Sequence, residues 1–359
     1  MRQFNRETQT KMTTTQALIK IFSLASISFA VAIVLTPIFT NFVYKHKFGK
    51  KIRAEGDTPY YSKLHQKKAG TPTMGGVLIW FTTIGLASIF WFLDRILHWD
   101  FFHRLNFLTR QQTLLPLGAL GATALLGLVD DYWGIKGIGG GAGGGMRMRH
   151  RLLFYLLVAI VGAYWFYNKL QFNILHIPGF GNFNIGVWYV PLFIFVVIAT
   201  SFSVNQTDGL DGLAGGVLAV AFLSYGLIAF LQGRFELTAL CAVLGGSLLA
   251  FLWFNIFPAR FFMGDTGAMS LGTVLAVIAF LTNSVAVLPL IGLILVLESG
   301  STLLQWFWRK VLGRKLFLSS PLHHHFEARG WPEAKVTMRF WVISVVFALI
   351  GVAINLIGR

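Results

Sequence analysis

A single cysteine in 359 residues excludes an intrachain disulfide and any cluster of thiolates around a metal. That residue, Cys241, lies within an apolar run and reads as a packing group. Charge is scarce too: 12% of residues are charged, against about 25% in soluble domains. Acid is the scarcest class, with 14 Asp and Glu beside 30 Lys and Arg, for a net charge of +16. No His-Glu-x-x-His pattern occurs, which removes a common catalytic zinc motif. The glycine run from Gly137 to Gly145 lacks a Gly-Lys-Ser/Thr ending and a preceding strand. It is therefore no P-loop, and a flexible loop is a sufficient reading.

What the chain has in quantity is hydrocarbon. Hydrophobic residues make up 55% of it and the mean hydropathy is +0.66. Apolar stretches of about twenty residues, enough to span a bilayer, recur from end to end. The fold class expected is an all-α polytopic membrane protein, a single domain over residues 1–359. About ten spans are predicted, near 18–43, 75–97, 111–129, 152–168, 187–204, 213–231, 236–256, 267–282, 285–308 and 338–357. A polar tail (1–16) precedes the first span, which is too long for a cleaved signal and is read as a retained helix. The principal connections are a glycine-rich basic loop (132–151) and a loop carrying three consecutive histidines (309–337).

Basic residues sort by side. The odd connections hold twenty Lys and Arg, whereas the even ones hold only Arg95, Arg104, Arg110, Lys169 and Arg234. By the positive-inside rule the odd connections are cytoplasmic and both termini lie on the far side. The net positive charge is thereby explained by orientation and by anionic headgroups or substrates, without nucleic acid.

Every polar constellation singled out falls on the cytoplasmic side. These are Thr71 to Gly76, Asp130-Asp131, Asn205 to Asp211, Asn255 with Phe262 to Asp265, and His323-His324-His325. Packing polars would not sort in this way, whereas one active site assembled from five loops would. The stretch Asn205-Gln206-Thr207-Asp208-Gly209-Leu210-Asp211 is the centre of the set, since carboxylates between apolar spans persist only when paired, hydrated or needed. Adjacent Asp130 and Asp131 stay ionised together only beside a cation, and oxygen ligands suit Mg²⁺ or Mn²⁺. Asp265 lies in a Gly-Asp-Thr-Gly turn, where backbone amides can approach a phosphate. Aspartates facing a basic rim suit a Mg²⁺–diphosphate site. Consecutive histidines on a helix point about 100° apart, so one zinc would not take all three. Donation to phosphate or sugar oxygens fits them better. Trp253 and Phe254 read as packing or interfacial-belt residues, and Phe262 as one that could also stack a base.

As a set, the motifs resemble the phospho-N-acetylmuramoyl-pentapeptide transferase family of the polyprenyl-phosphate N-acetylhexosamine-1-phosphate transferase superfamily. The likeness runs from about Lys45 to Arg359. It is carried by Lys68 to Gly76, Asp130-Asp131-Tyr132, Asn205 to Ala214, Phe251 to Asn255, Phe262 to Asp265, and Pro321 to Glu327 with Gly330-Trp331-Pro332. The resemblance implies ten helices, a homodimer in the bacterial inner membrane, periplasmic termini and a cytoplasmic site. The implied reaction takes UDP-MurNAc-pentapeptide and undecaprenyl phosphate to lipid I and UMP, with Mg²⁺. Asp265 would hold Mg²⁺ with Asp130 and Asp131, the catalytic set being these three with His324. Asp130 would deprotonate or orient the lipid phosphate, and a route through an aspartyl intermediate stays open. Phe262 would stack on uracil, with Asp211, Asn255, Gly209 and Leu210 around the nucleoside. Lys68, Asn205 and Asp208 would line the adjoining pocket, with His323, His324, His325 and Gln305 toward the diphosphate or sugar.

Two positions depart from the family pattern. Phe202 stands where a further asparagine is usual, and Gly134 where a lysine follows the aspartate pair, leaving Lys136 and Arg151 as the basic residues that could compensate. Two other functions compete. A sibling transferase would use another UDP-N-acetylhexosamine, which the triple histidine argues against. A transporter would place charge at mid-span with access from both sides.

Overall fold

The computed structural model describes residues 13–49, 68, 70–110, 112–140 and 144–358. Most of the polar tail, Lys50, Lys51, Arg53, Lys63, Lys67, Ala69, residues 141–143 and Arg359 lie outside the described residues.

Among the described residues, nine helices are long and apolar enough to cross a membrane. In chain order they are α1 (Thr14–Lys45), α2 (Gly76–Leu97), α4 (Leu114–Lys136), α5 (Met148–Tyr164, continued by a wider turn to Lys169), α6 (Tyr189–Thr207), α7 (Leu213–Leu231), α8 (Phe235–Asn255), α9 (Gly264–Leu281) and α13 (Glu333–Ile357). Short helices α3 (Asp100–Leu105) and α12 (Leu322–Ala328) lie between them. The start of α1 is fixed by a capping box, Thr13 Oγ1 accepting from Gln16 N and Gln16 Oε1 from Thr13 N.

The span expected near 285–308 is broken. A 3₁₀ turn at Val285–Val287 and α10 (Leu288–Ile291) meet α11 (Leu293–Leu312) at 81°, across Gly292. Its separation from α9 at Thr282-Asn283-Ser284 falls where the sequence placed it. The all-α expectation also misses one antiparallel hairpin, Ile174–Ile177 with Gly181–Asn184. Its signals are the β-branched Ile-Leu-His-Ile run and the Pro178-Gly179 turn.

α7, α8 and α9 form the buried centre, while α1, α5 and α13 expose rows of Leu, Ile, Val and Phe outward, as a lipid-facing surface requires. α11 inverts the soluble pattern. Glu298, Ser299, Ser301 and Gln305 point inward, and Leu303, Leu304, Trp306 and Phe307 are exposed. α4 packs on α9 at Gly127, where a Cβ would stand 2.5 Å from Asp265 O and from Thr266 Cα. Thr266 Oγ1 adds a bond to Ala124 O at 2.8 Å. That contact brings the aspartate pair of α4 to the end of α9.

Candidate active site

The N-terminus of α9 gathers the acidic residues. The first N–H groups of a helix lack intrahelical partners and carry partial positive charge. Here Gly264 N donates to Asp208 Oδ2 (3.2 Å), Asp265 N to Asp131 Oδ1 (3.0 Å) and Thr266 N to Asp131 Oδ2 (3.0 Å). Asp131 and Asp208 reach it from two other helices' C-terminal ends, and Asp265 is carried on it. The segment before α2 is laid against the same place by backbone pairing. Phe262 N donates to Pro72 O, Gly75 N to Phe262 O and Gly76 N to Met263 O, each at 2.8 Å. A Cβ on Gly76 would lie 2.3 Å from Gly267 Cα, so only glycine permits this approach.

Asp130 and Asp265 converge on one cation, Arg151. Its Nε lies 2.6 Å from Asp130 Oδ2, and its two terminal nitrogens lie 3.0 and 3.1 Å from Asp265 Oδ2 and Oδ1. Asn205 Nδ2 also donates to Asp265 Oδ1. Asp130 Oδ1 accepts from Met146 N at 2.5 Å, and Gly145 N donates to Ile138 O. The glycine loop thus closes back on α4, and its far end holds Asp130. Of the two basic residues that could compensate for Gly134, Arg151 contacts the carboxylates, while Lys136 lies over the Tyr132 ring at 5.8 Å. Phe202 stands half-buried one turn before Asn205.

A second cluster adjoins the first. Lys68 Nζ donates to Asp211 Oδ1 (2.6 Å) and Glu333 Oε1 (2.5 Å), and stands 5.8 Å from the Phe262 ring centroid and 6.0 Å from that of Phe257. Glu333 also accepts from Asp211 N (2.7 Å), and Asp211 Oδ2 from Ala259 N (2.9 Å). Asn255 is spent on scaffolding: its Oδ1 accepts from Gly212 N and its Nδ2 donates to Phe261 O. Leu210 is buried in the core.

The three histidines have three environments. His323 is buried, with Nδ1 2.7 Å from Glu298 Oε2, which makes Nδ1 the protonated nitrogen, and its N–H on the same carboxylate. Its Nε2 faces Gly209, where a Cβ would stand 2.2 Å away. His324 Nδ1 lies 2.7 Å from Glu327 Oε2. His325 Nδ1 accepts from Leu318 N at 3.2 Å, and burial with the nearby Arg329 holds its pKa below the ordinary value of 6.5. Gln305 braces the approach to this segment, its Oε1 accepting from Leu316 N and Phe317 N and its Nε2 donating to Phe317 O.

The residues named from sequence therefore form one connected region: Asp130, Asp131, Asp208 and Asp265 with Asn205 around α9, Lys68, Asp211 and Phe262 beside them, and His323 against Gly209. Glu298, Glu333 and the pairing role of Arg151 were missed. Glu298 carried a usable signal, an ionisable residue inside an apolar run.

No group of three or more His, Cys, Asp or Glu among the described residues is arranged to hold a metal ion. The donors nevertheless suit a hard divalent cation, being carboxylate oxygens, and Asp130 Oδ2 is buried without a hydrogen bond. The point on which Asp130 and Asp265 converge is filled by the guanidinium.

Residues 113–283 match the model of glycosyl transferase family 4, and residues 68–79 match phospho-N-acetylmuramoyl-pentapeptide-transferase signature 1. The phospho-N-acetylmuramoyl-pentapeptide-transferase of Chloroflexus aggregans is 38% identical over 347 residues, covering 93% of this chain and 89% of its own. That of a Geobacillus species (strain WCH70) is 38% identical over 334 residues, 92% of this chain and 96% of its own. That of Rickettsia akari is 37% identical over 347 residues, 91% and 90% of the two chains.

Proposed function

The chain belongs to the phospho-N-acetylmuramoyl-pentapeptide-transferase family, and we propose that it transfers phospho-MurNAc-pentapeptide from UDP-MurNAc-pentapeptide to undecaprenyl phosphate, releasing UMP and lipid I. The observation that carries this reading is the shared helix terminus. One end of α9 holds Asp131 and Asp208, bears Asp265, and continues backward into Phe262 beneath the Lys68 ammonium. A nucleotide base and a diphosphate attached to it would reach both clusters at once.

In this reading uracil stacks on Phe262, and Lys68 offers charge to the donor while Asp211, Glu333 and Asn255 hold the pocket's shape. Asp130 deprotonates or orients the acceptor phosphate for attack on the donor's β-phosphate, through Oδ2, the oxygen without a hydrogen bond. Asp265 with Asp130 would hold Mg²⁺, which supplies charge neutralisation at the phosphoryl oxygens. Asp131 positions Asp265 by holding the backbone on which it is carried. His323, His324 and His325 face the sugar-phosphate side, His324 with Glu327 as the acid–base pair. The site opens to the cytoplasm, with both termini periplasmic, in a multi-pass protein of the bacterial inner membrane that functions as a homodimer. Loop charge supports this orientation.

UMP release by the purified chain with undecaprenyl phosphate, offered UDP-MurNAc-pentapeptide and UDP-GlcNAc in parallel, tests the assignment. Release from the muramoyl donor alone, lost with Asp265→Ala or without divalent metal, is expected. Preference for UDP-GlcNAc would move the chain to a sibling activity.

A further inference from the structure

We propose that Arg151 and a divalent cation share the Asp130 and Asp265 carboxylates and exclude one another, so that Arg151 is a displaceable internal counter-ion. The proposal rests on the metal-dependent reading given above. Its physical basis is the arrangement of four groups.

Asp130 Oδ2 and Asp265 Oδ2 both face the same guanidinium, at 2.6 and 3.0 Å. A cation seated between those oxygens would occupy the place of the arginine's nitrogens. Two like charges cannot share that position. The contact with Asp265 is a fork with near-ideal lengths, whereas the contact with Asp130 is an ion pair only, Nε and Oδ2 being buried without hydrogen bonds. One of the two carboxylates is thus held at close range without the alignment that would make the guanidinium its best partner. Tyr155, one turn beyond Arg151 on the same face of α5, adds a buried hydroxyl without a partner.

The position of Arg151 in its helix points the same way. It sits in the first turn of α5, where a cation opposes the helix dipole, a cost that its two carboxylate partners offset. Its side chain and that of Asp265 are 18% and 19% exposed, while Asp130 is fully buried. Entry to Asp130 therefore runs past the arginine. At Gly134 a Cβ would meet only Gly145 N, at 4.0 Å, so the charge supplied there by a lysine in the family pattern comes here from the next helix. A cation on a neighbouring helix can withdraw without unwinding α4.

The experiment is Mn²⁺ titration of the full-length, detergent-purified protein, followed by the electron paramagnetic resonance signal of free Mn²⁺. Wild type is compared with Arg151→Gln, Arg151→Lys, Arg149→Gln and Arg151→Gln/Asp265→Asn. Arg149 is exposed and controls for general basic charge. Removing the competing charge should tighten Mn²⁺ binding in Arg151→Gln by about tenfold or more. Arg151→Lys, whose ammonium cannot fork across both carboxylates, should fall between it and wild type. Arg149→Gln should stay within about twofold, because exposed charge is screened. The double variant should lose the site. Thermal unfolding with and without Mn²⁺ gives a second reading. Arg151→Gln should be the less stable protein without metal and should gain more from it. Unchanged or weaker binding in Arg151→Gln would overturn the proposal, as would equal tightening in Arg149→Gln. If none of the proteins binds Mn²⁺ and wild-type UMP release continues in chelator, the metal reading falls with it. Binding with an unchanged constant sinks the competition alone.

Discussion

Gly127→Ala is a one-carbon test of how the site is assembled. The added Cβ would lie 2.5 Å from Asp265 O and Thr266 Cα, against an ordinary contact of 3.4 Å or more. Both neighbours are backbone, so no side chain can swing away. α4 and α9 must part by about 1 Å, an overpacking cost of about 1–3 kcal/mol. Asp131 is one turn further along the same face of α4, so it moves with the displaced helix. Its bonds to Asp265 N and Thr266 N, each 3.0 Å, would stretch beyond hydrogen-bonding distance. A misplacement of about 1 Å at reacting groups costs about 100-fold in rate. Gly118→Ala is the control: it lies on the same helix, nothing stands within 4 Å of its Cβ, and the change should be neutral or stabilising by about 0.5–1 kcal/mol. The assay is UMP release beside thermal unfolding in one detergent. Opposite signs of the stability change are expected, with the rate lost in Gly127→Ala alone. Should both alanine variants melt together and turn over alike, the close approach of α4 and α9 would not be what sets the aspartates.

Glu298→Leu leaves the imidazole and backbone N–H of His323 buried without their partner and should cost about 1–3 kcal/mol; Glu298→Leu/His323→Leu should recover part of it, read from unfolding midpoints. Lys68→Met should raise the KM for the nucleotide donor by about tenfold or more while kcat falls less, since the ammonium is placed over Phe262 and its bonds go to Asp211 and Glu333. An equal loss in both constants would assign Lys68 to the chemical step instead. For His325 the folded state disfavours protonation, because burial and Arg329 hold its pKa below 6.5. Its stabilising contribution is complete above the unfolded value and is lost as pH falls through the folded one. Between about pH 7.5 and 5.5 the melting temperature of wild type should therefore fall more than that of His325→Gln, whose amide cannot titrate there.

Much of the site could be read from sequence because acid is rare in this chain. Against an apolar background Asp130, Asp131, Asp208, Asp211 and Asp265 stand out individually; the structure gathers four of them at α9 and sets Asp211 in the adjoining cluster with Lys68 and Glu333. What they do locally was less legible. A carboxylate pair suggests a cation, and one of the two, Asp131, has both oxygens on backbone N–H groups. Spacing could not show that Arg151 reaches Asp265 across 114 positions, or Lys68 Glu333 across 265. Those contacts depend on which helix ends meet, and hydropathy does not encode it. The spans themselves were legible for the opposite reason, since length and apolarity alone define them. The break at Gly292 was not, because one glycine in an apolar run is compatible with a straight helix or a bent one.

α11 has a mechanical consequence. A seven-residue helix such as α12 is too short to hold its own shape, and two of its polar fastenings come from α11: Glu298 grips His323, and Gln305 grips the chain leading to it. The two grips are seven positions apart, so they lie on one side of the rod, while the other side presents Leu303, Leu304 and Phe307 to hydrocarbon. A turn of that rod about its axis would carry the histidine segment against Gly209 or away from it. The lipid-facing side of α11 and the fastening of the histidine segment are thus carried on one rod.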